Sequence, residues 1–304
     1  LLTLHNMNIV IIGTGYVGLV TGVGLANLGN TVDFIDLDEN KIKNLSSKKI
    51  TFYEPGLEEY FNHDETFKRM SFSSDYASIE WENIDIVFVC VQTPNNIETN
   101  SVDTKFLESA IKEINNVNNN DLVITVKSTI PPYEIEKVCE KVGMDSSKLT
   151  FNPEFLREGT AVEDFFNPDR IVLGGADKEK LNKLIELYSE FECEIITTDS
   201  ISSQLIKYLA NTYLPLRLSF VNEATRLIDY SGGNLDDVLK GVGLDNRIGQ
   251  HYFRPSPSWG GSCFPKDLVE VNNFYDHEKL NLPLISNIIN SNDIHVDWTS
   301  QNIR

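Results

Sequence analysis

Cysteine is scarce in this chain of 304 residues: Cys90, Cys139, Cys193 and Cys263 lie far apart, with no CxxC spacing. That pattern offers neither a disulfide framework nor a metal site, and it makes a reducing cytoplasm the default compartment. Positive charge is also short, with 26 Lys and Arg against 45 Asp and Glu and a formal net charge of −19. A nucleic-acid binder needs a basic face, so no nucleic-acid partner is expected. An anionic small substrate stays open, because a pocket can be locally positive on an acidic protein. No apolar run approaches a membrane span, and no basic-then-apolar secretion signal opens the chain. There is no internal repeat and no low-complexity linker. Residues 1 to 6 precede Met7, where the first strand pattern starts, and read as a leader or an expression remnant.

What is present is a chain long enough for a large core divided between two domains. Residues 7–199 alternate short apolar runs with amphipathic segments, the pattern of βαβ units. "MNIVIIG" and "TVDFID" read as the first two strands, with a helix from Tyr16 to Leu28 between them. "IDIVFVCV" (84–91) and "DLVITVKST" (121–129) are nearly uninterrupted apolar runs, as strands covered on both faces require. "KLTFNPEF", "RIVLGG" and "CEIITTD" read as later strands, with a helix from about Asp177 to Phe191. From Ser200 the pattern becomes one long helix to about Tyr230, which Pro215 should kink rather than end. A short helix from Leu235, a loop and a final helix near 284–303 follow. The expected fold class is therefore α/β: a Rossmann-type doubly wound parallel sheet, then an all-helical central domain over residues 200–304 built on the long helix.

"GTGYVG" places Gly13, Gly15 and Gly18 in GxGxxG spacing around Tyr16 and Val17. Such glycines serve a tight turn, close approach of backbone to a pyrophosphate and close helix–strand packing, with the pyrophosphate on the helix N-terminus. The motif follows a strand, opens a helix and precedes Asp36 at the end of the second strand, which suits a ribose diol and NAD. The alternative is a glycine-rich βα turn with a solvent-facing aspartate. Lys41 is close enough in sequence to approach the adenosine side, or is simply a surface lysine.

"SWGGSCFPKD" (258–267) sets Cys263 behind two glycines and ahead of Pro265, a residue suited to a first helical turn. A thiol attacks as the thiolate, which a helix N-terminus and a nearby cation such as Lys266 favour. Inert burial is the competing reading for any lone cysteine, and it is kept for Cys90 and Cys139. Lys207 and Asn211 share a helix face at i, i+4, although spacing alone fits a solvated pair better. Thr129, Glu154 and Glu158 follow strands at what would be the carboxyl edge of the sheet, where ligands bind in open α/β folds. Capping and turn duties would explain them almost as well.

Together the segments "GTGYVGLVTGVGLA", "VQTP", "KSTIPP", "NPEFLREGTAVEDFFNPDRIV", "IKYLANTYLPLRLSFVNE" and "DNRIGQHYFRPSPSWGGSCFPKD" resemble the UDP-glucose/GDP-mannose dehydrogenases. The resemblance runs from Met7 to the end, and "DNRIG…HY" looks like the branch acting on UDP-glucose. It implies oxidation of a nucleotide-sugar alcohol to the acid with two NAD. Cys263 matches the nucleophile that captures a C6 aldehyde as a thiohemiacetal and then carries a thioester. Lys207 and Asn211 match the pair that steadies charge on the C6 oxygen. Asp267 and Glu154 match carboxylates that handle protons and water, with Thr129 alongside. Thr93 matches a cofactor contact, and Glu158 a position between cofactor and sugar. Substrate contacts are implied for Glu154, Phe155, Leu156, Arg157, Glu158, Lys207, Asn211, Tyr252, Gly260 and Gly261, and for Arg247 reaching across a homodimer formed through the long helix.

Gln204 stands where many members have Glu, Gln92 where a small residue or proline is frequent, and Ser256, Ser258 and Trp259 where glycines are commoner. The loop residues are expected to bear on which sugar fits. The family's third domain, which closes over the nucleotide, has no counterpart before Arg304; the resemblance implies a fragment or a short protein that alone is weak or inactive. Competing readings are GDP-mannose or UDP-N-acetylmannosamine oxidation, a β-hydroxyacid or 6-phosphogluconate-type dehydrogenase needing no thiol, and a non-catalytic NAD-binding or dimer-forming module.

Overall fold

The computed structural model describes residues 6–96, 101–117, 121–277 and 280–302. The leader expected over residues 1–6 and the last residues of the terminal helix expected to 303 thus fall largely outside the described residues. Packing separates two units, Leu1–Pro94 with Asp103–Lys207, and Asn95–Val102 with Tyr208–Arg304. One division therefore falls inside the long helix, a turn or two past its start.

The first unit is an α/β layer structure. Its strands are β1 (Asn8–Ile12), β2 (Thr31–Ile35), β3 (Met70–Ser73) and β4 (Ile86–Val89). Two short strands of the other unit, β5 (Asn95–Asn96) and β6 (Ser101–Val102), interrupt the series. It resumes with β7 (Val123–Val126), β8 (Leu149–Phe151), β9 (Arg170–Gly175) and β10 (Glu194–Thr198). Helices α1 (Tyr16–Asn27), α2 (Glu39–Ser46), α3 (Leu57–Asn62), α4 (Asp64–Phe67), α5 (Lys105–Asn115), α6 (Pro132–Val142), α7 (Ala161–Phe166) and α8 (Lys178–Leu187) connect them.

The sheet order is β10-β9-β8-β7-β4-β1-β2-β3. Six neighbours from β3 to β8 pair parallel, in the order expected of a dinucleotide fold. The β8–β9 pairing is antiparallel, so β9 and β10 run against the other six. The doubly wound parallel sheet expected from the sequence is present, with one antiparallel junction where Gly174 and Gly175 of β9 pair with Phe151 and Thr150.

Alternation along β1 explains why its run is apolar throughout. Ile9 and Ile11 enter one core with Leu19, Phe34, Phe88 and Phe165, whereas Val10 and Ile12 enter another with Val87, Ile111 and Val138. Helices cover both faces.

The second unit contains most of α9 (Ser200–Ser231), then α10 (Leu235–Gly243), α11 (Phe264–His277), α12 (Pro283–Asn302) and the antiparallel β5–β6 pair. Pro215 lies inside α9 without ending it. Val221, Ile228, Leu239 and Phe253 form one small core. Trp259, Leu268 and Ile288 form another, against Leu216, Leu218 and Phe264.

Candidate active site

The dinucleotide loop follows from three glycines with three different constraints. Gly13 has φ +96°, and a Cβ there would lie 2.7 Å from the Cys90 carbonyl oxygen. A Cβ at Gly18 would sit 1.9 Å from the Gly13 oxygen, so only glycine lets α1 come this close to β1. At Gly15 a Cβ meets nothing within 4 Å, leaving the backbone open to a ligand. Gly15 caps α1 without a side-chain bond, and the first turn carries no acid, so its N–H groups face an anion site of positive polarity. Val17 packs on the first core. The Tyr16 hydroxyl donates to Glu54 Oε2 at 2.7 Å and to the Arg157 carbonyl at 3.1 Å. Burial first, then Glu54, pushes that phenol well up, and it stays protonated.

Asp36 follows β2 and accepts from the Thr14 N–H (2.8 Å) and hydroxyl (2.7 Å) and from the Asp38 N–H (3.0 Å). Burial works against its charge, but these donors and Lys41, whose Nζ lies 3.5 Å away, outweigh it and hold the carboxyl below its ordinary range. An ionised, oriented carboxylate beyond an open helix N-terminus is the donor and acceptor set that NAD requires.

The exits of β4, β7 and β8 bring a second group together in the same unit. The Thr93 hydroxyl donates to the Thr129 carbonyl at 2.7 Å, tying two strand exits. Lys207 Nζ donates to the Glu154 carbonyl (2.6 Å) and to Glu154 Oε1 (2.9 Å), while Oε2 accepts the Leu156 N–H (2.7 Å). Both partners of that ion pair are buried. Phe155 lies between two cations, with the Arg170 guanidinium 3.7 Å and Lys207 Nζ 5.4 Å from its ring centre. Arg157 is exposed and pairs with Asp164, and Glu158 is exposed in the following turn.

A second buried lysine, Lys127 at the end of β7, donates to Asn152 Oδ1 at 2.8 Å. Burial, with Lys207 adding, lowers its pKa against the pull of Cys90 and Glu154. Asn152 is further held by the Tyr188 hydroxyl (2.8 Å) and by its own bond to the Val172 carbonyl (3.0 Å). Lys127 and Lys207 therefore grip the segment 152–154 from its two ends.

In the second unit Cys263 is exposed immediately before α11, and its carbonyl accepts the Asp267 N–H at 2.9 Å. Asp267 is 1% exposed, and its Oδ2 accepts the Asn211 amide at 2.6 Å. Gly261 has φ +90° with open space at its Cβ position, and Gly260 is equally open. Cys90 and Cys139 are buried, and burial pushes their thiols up to about 12 and about 11. Among the described residues no cluster of His, Cys, Asp and Glu could hold a metal ion.

The model of the UDP-glucose/GDP-mannose dehydrogenase family NAD binding domain matches residues 7–192, and that of the family's central domain matches residues 201–294. The chain belongs to this family. The UDP-glucose 6-dehydrogenase of Rickettsia prowazekii (strain Madrid E) is 39% identical over 293 residues, covering 95% of this chain and 67% of the relative. UDP-glucose 6-dehydrogenase YwqF of Bacillus subtilis (strain 168) is 37% identical over 298 residues, covering 94% and 66%. A UDP-glucose dehydrogenase structure from Pyrobaculum islandicum superposes with a TM-score of 0.88 at 33% identity, covering 97% of this chain and 69% of that one. The GDP-mannose dehydrogenase of Pseudomonas aeruginosa gives 0.74 at 28%, covering 96% and 69%. The chain spans about two thirds of the length of these relatives.

As a member of the family, the chain carries an NAD-binding domain. Two residues flanking Cys263 in sequence make contacts that the sequence does not show. The Lys266 Nζ is 2.9 Å from Asp267 Oδ1 and 3.2 Å from Glu270 Oε1. Trp259 has its indole buried in the unit's core, donating to Ser219 Oγ at 2.8 Å. Its backbone is clamped by Asn292, which accepts at 3.0 Å and donates at 3.1 Å. Arg247 is exposed and paired with Asp245, and Tyr252 is exposed with φ +55°. Gln204 is buried, donating to the Ser200 carbonyl at 2.9 Å. The sequence reading missed Lys127, Glu54, Tyr208 and Glu270; for Lys127 the signal was a lysine ending an otherwise apolar strand.

Proposed function

We propose that this chain oxidises UDP-glucose to UDP-glucuronate in two successive hydride transfers, with Cys263 carrying the carbon between them. The observation that carries the reading is an exposed thiol at the head of α11, beside an aspartate that is buried and held by Asn211. NAD, when bound, supplies the hydride acceptor. Glu154, clamped by Lys207, orders a water or accepts the proton of the C6 hydroxyl, and the lysine ammonium steadies the oxyanion as C6 becomes a carbonyl. The Cys263 thiolate adds to the aldehyde, giving a thiohemiacetal whose C–H can leave again as hydride, and the result is a thioester. Water then attacks, breaking the C–S bond; the carboxylate leaves and the Cys263 thiolate is regenerated. Asp267, in contact with Asn211, takes the water's proton.

The partner we assign is a second copy of the chain. Leu209, Tyr213, Phe220 and Leu227 form an exposed apolar stripe along α9 at spacings of one helix face, which an isolated chain would leave in water. A reducing cytoplasm suits a chemistry that needs Cys263 as a thiol.

The test offers the purified protein UDP-glucose, GDP-mannose and UDP-N-acetylmannosamine while NADH is followed. Two NADH per UDP-glucose, lost in Cys263→Ala, is the expected result. One NADH per sugar, or indifference to that substitution, rules out the thioester route. Faster turnover of GDP-mannose would move the substrate to the other named branch of the family.

A further inference from the structure

The second unit buries a charge cluster that the proposed chemistry only partly uses. Asp267 and Glu270 lie on the same helix, 1% and 2% exposed, and share the Lys266 ammonium at 2.9 and 3.2 Å. Tyr208, on α9 and also buried, donates its hydroxyl to Glu270 Oε2. Asn211, one turn along α9, donates to the other oxygen of Asp267. Asn95 of β5 reaches the Lys266 backbone carbonyl at 3.3 Å and does not titrate. Among the described residues, the titratable and charged groups facing Glu270 are Tyr208 from α9, and Lys266 and Asp267 from its own helix.

One cation between two buried carboxylates is a divided resource. When both are ionised the ammonium is split between them, and the Tyr208 hydroxyl supports Glu270. When Glu270 takes a proton from solvent its charge no longer competes, and the ammonium turns to Asp267. Both Asp267 oxygens then carry a close N–H donor, from Lys266 and from Asn211, so the carboxylate is a poorer acceptor for a water proton. We propose that Glu270 is a positioning residue for Asp267, deciding by its own protonation whether Asp267 is pinned by Lys266 or left able to handle water. Burial pushes the Glu270 carboxyl up to about 7, with Asp267 adding and with Lys266 and Tyr208 opposing, which puts the change in the neutral range. The inference rests on the proposed role of Asp267 in freeing the product.

The test is the pH profile of kcat for the full chain with NAD and UDP-glucose, beside an infrared difference titration of the carboxyl band without substrate. In the wild type kcat is expected to rise through an acid limb near pH 7. Glu270→Gln should abolish the limb and fix kcat several-fold lower, with KM little changed. Tyr208→Phe removes a donor to the ionised carboxylate, so it should move the limb to higher pH by about half a unit. If Glu270→Gln does not fold, the Tyr208→Phe shift decides. Rates lowered equally at every pH in both variants would mean a purely structural cluster and overturn the proposal. The infrared band, present in wild type and absent in Glu270→Gln, should titrate between about pH 6 and 8 whether or not UDP-glucose is oxidised. No such titration overturns the proposal even if NADH forms; titration without NADH from UDP-glucose sinks the substrate reading and leaves the cluster standing.

Discussion

At the scale of single residues, the site works by burying charge only where a partner is fixed in advance. Lys207 and Glu154 show the consequence, since each is the other's compensation in a dry setting. Replacing one partner of a buried pair strands the other at a cost of about 3–5 kcal/mol. Lys207→Met is expected to lower stability on that scale in urea unfolding, and Lys207→Met with Glu154→Gln to recover part of the loss. Additive single effects would show that the contact is not coupled. Glu270 makes a stability prediction of opposite sign to most carboxylates. Its folded pKa, about 7, lies above the ordinary glutamate value of 4.5, so the folded state binds the extra proton between them. The contribution is full below about pH 4.5 and is lost as pH rises through 7, by a few kcal/mol at most. The wild type minus Glu270→Gln difference in Tm should therefore shrink from pH 5.5 to pH 8, and a difference that grows would contradict the assignment.

At the scale of elements, the β1–α1 junction is the least forgiving part of the fold. Gly18→Ala puts a Cβ inside the Gly13 carbonyl, so α1 must retreat from β1 and its N-terminal N–H groups with it. The expected outcome is at least about a tenfold rise in the Kd for NADH, read by fluorescence titration, with a lower Tm. Gly15→Ala, where nothing crowds the Cβ position, should leave stability nearly unchanged while NADH binding weakens. This junction was legible in the sequence because its cause is local: a strand, three glycines, a helix and an aspartate within thirty residues. β3 was not read, because Met70–Ser73 offers four residues of which only two are apolar, and its identity as a strand comes from pairing with β2. Glu54 was invisible for the same reason at longer range. It is buried to accept the N–H groups of Gly159 and Ala161, more than a hundred residues away, and so fixes the start of α7. Lys127 and Glu270 likewise look like surface charges until their neighbours are known, and Trp259 looks like a loop obstacle until Ser219 and Asn292 claim it.

At the scale of the whole molecule, an acidic chain of formal charge −19 carries an NAD-binding domain, and NAD itself bears a pyrophosphate. The fold answers with fixed local polarity at the open N-terminus of α1, against a long-range field that repels an anion. The second unit bears the α9 stripe, where Leu209, Tyr213, Phe220 and Leu227 are 49%, 56%, 59% and 67% exposed. Net charge does nothing to cover this face, and a second α9 laid against it would bury all four side chains in both copies. A symmetric pairing needs only one kind of surface, since each stripe is its own complement. Sedimentation equilibrium should accordingly report a dimer for the wild type and a shift to monomer for Leu209→Glu with Leu227→Glu, two exposed positions at the ends of the stripe. The far-ultraviolet circular dichroism of that double variant should match wild type, because both side chains are exposed. A wild type that stays monomeric at tens of micromolar would leave the stripe without the partner assigned to it. A dimer indifferent to both glutamates would place the interface elsewhere on the chain.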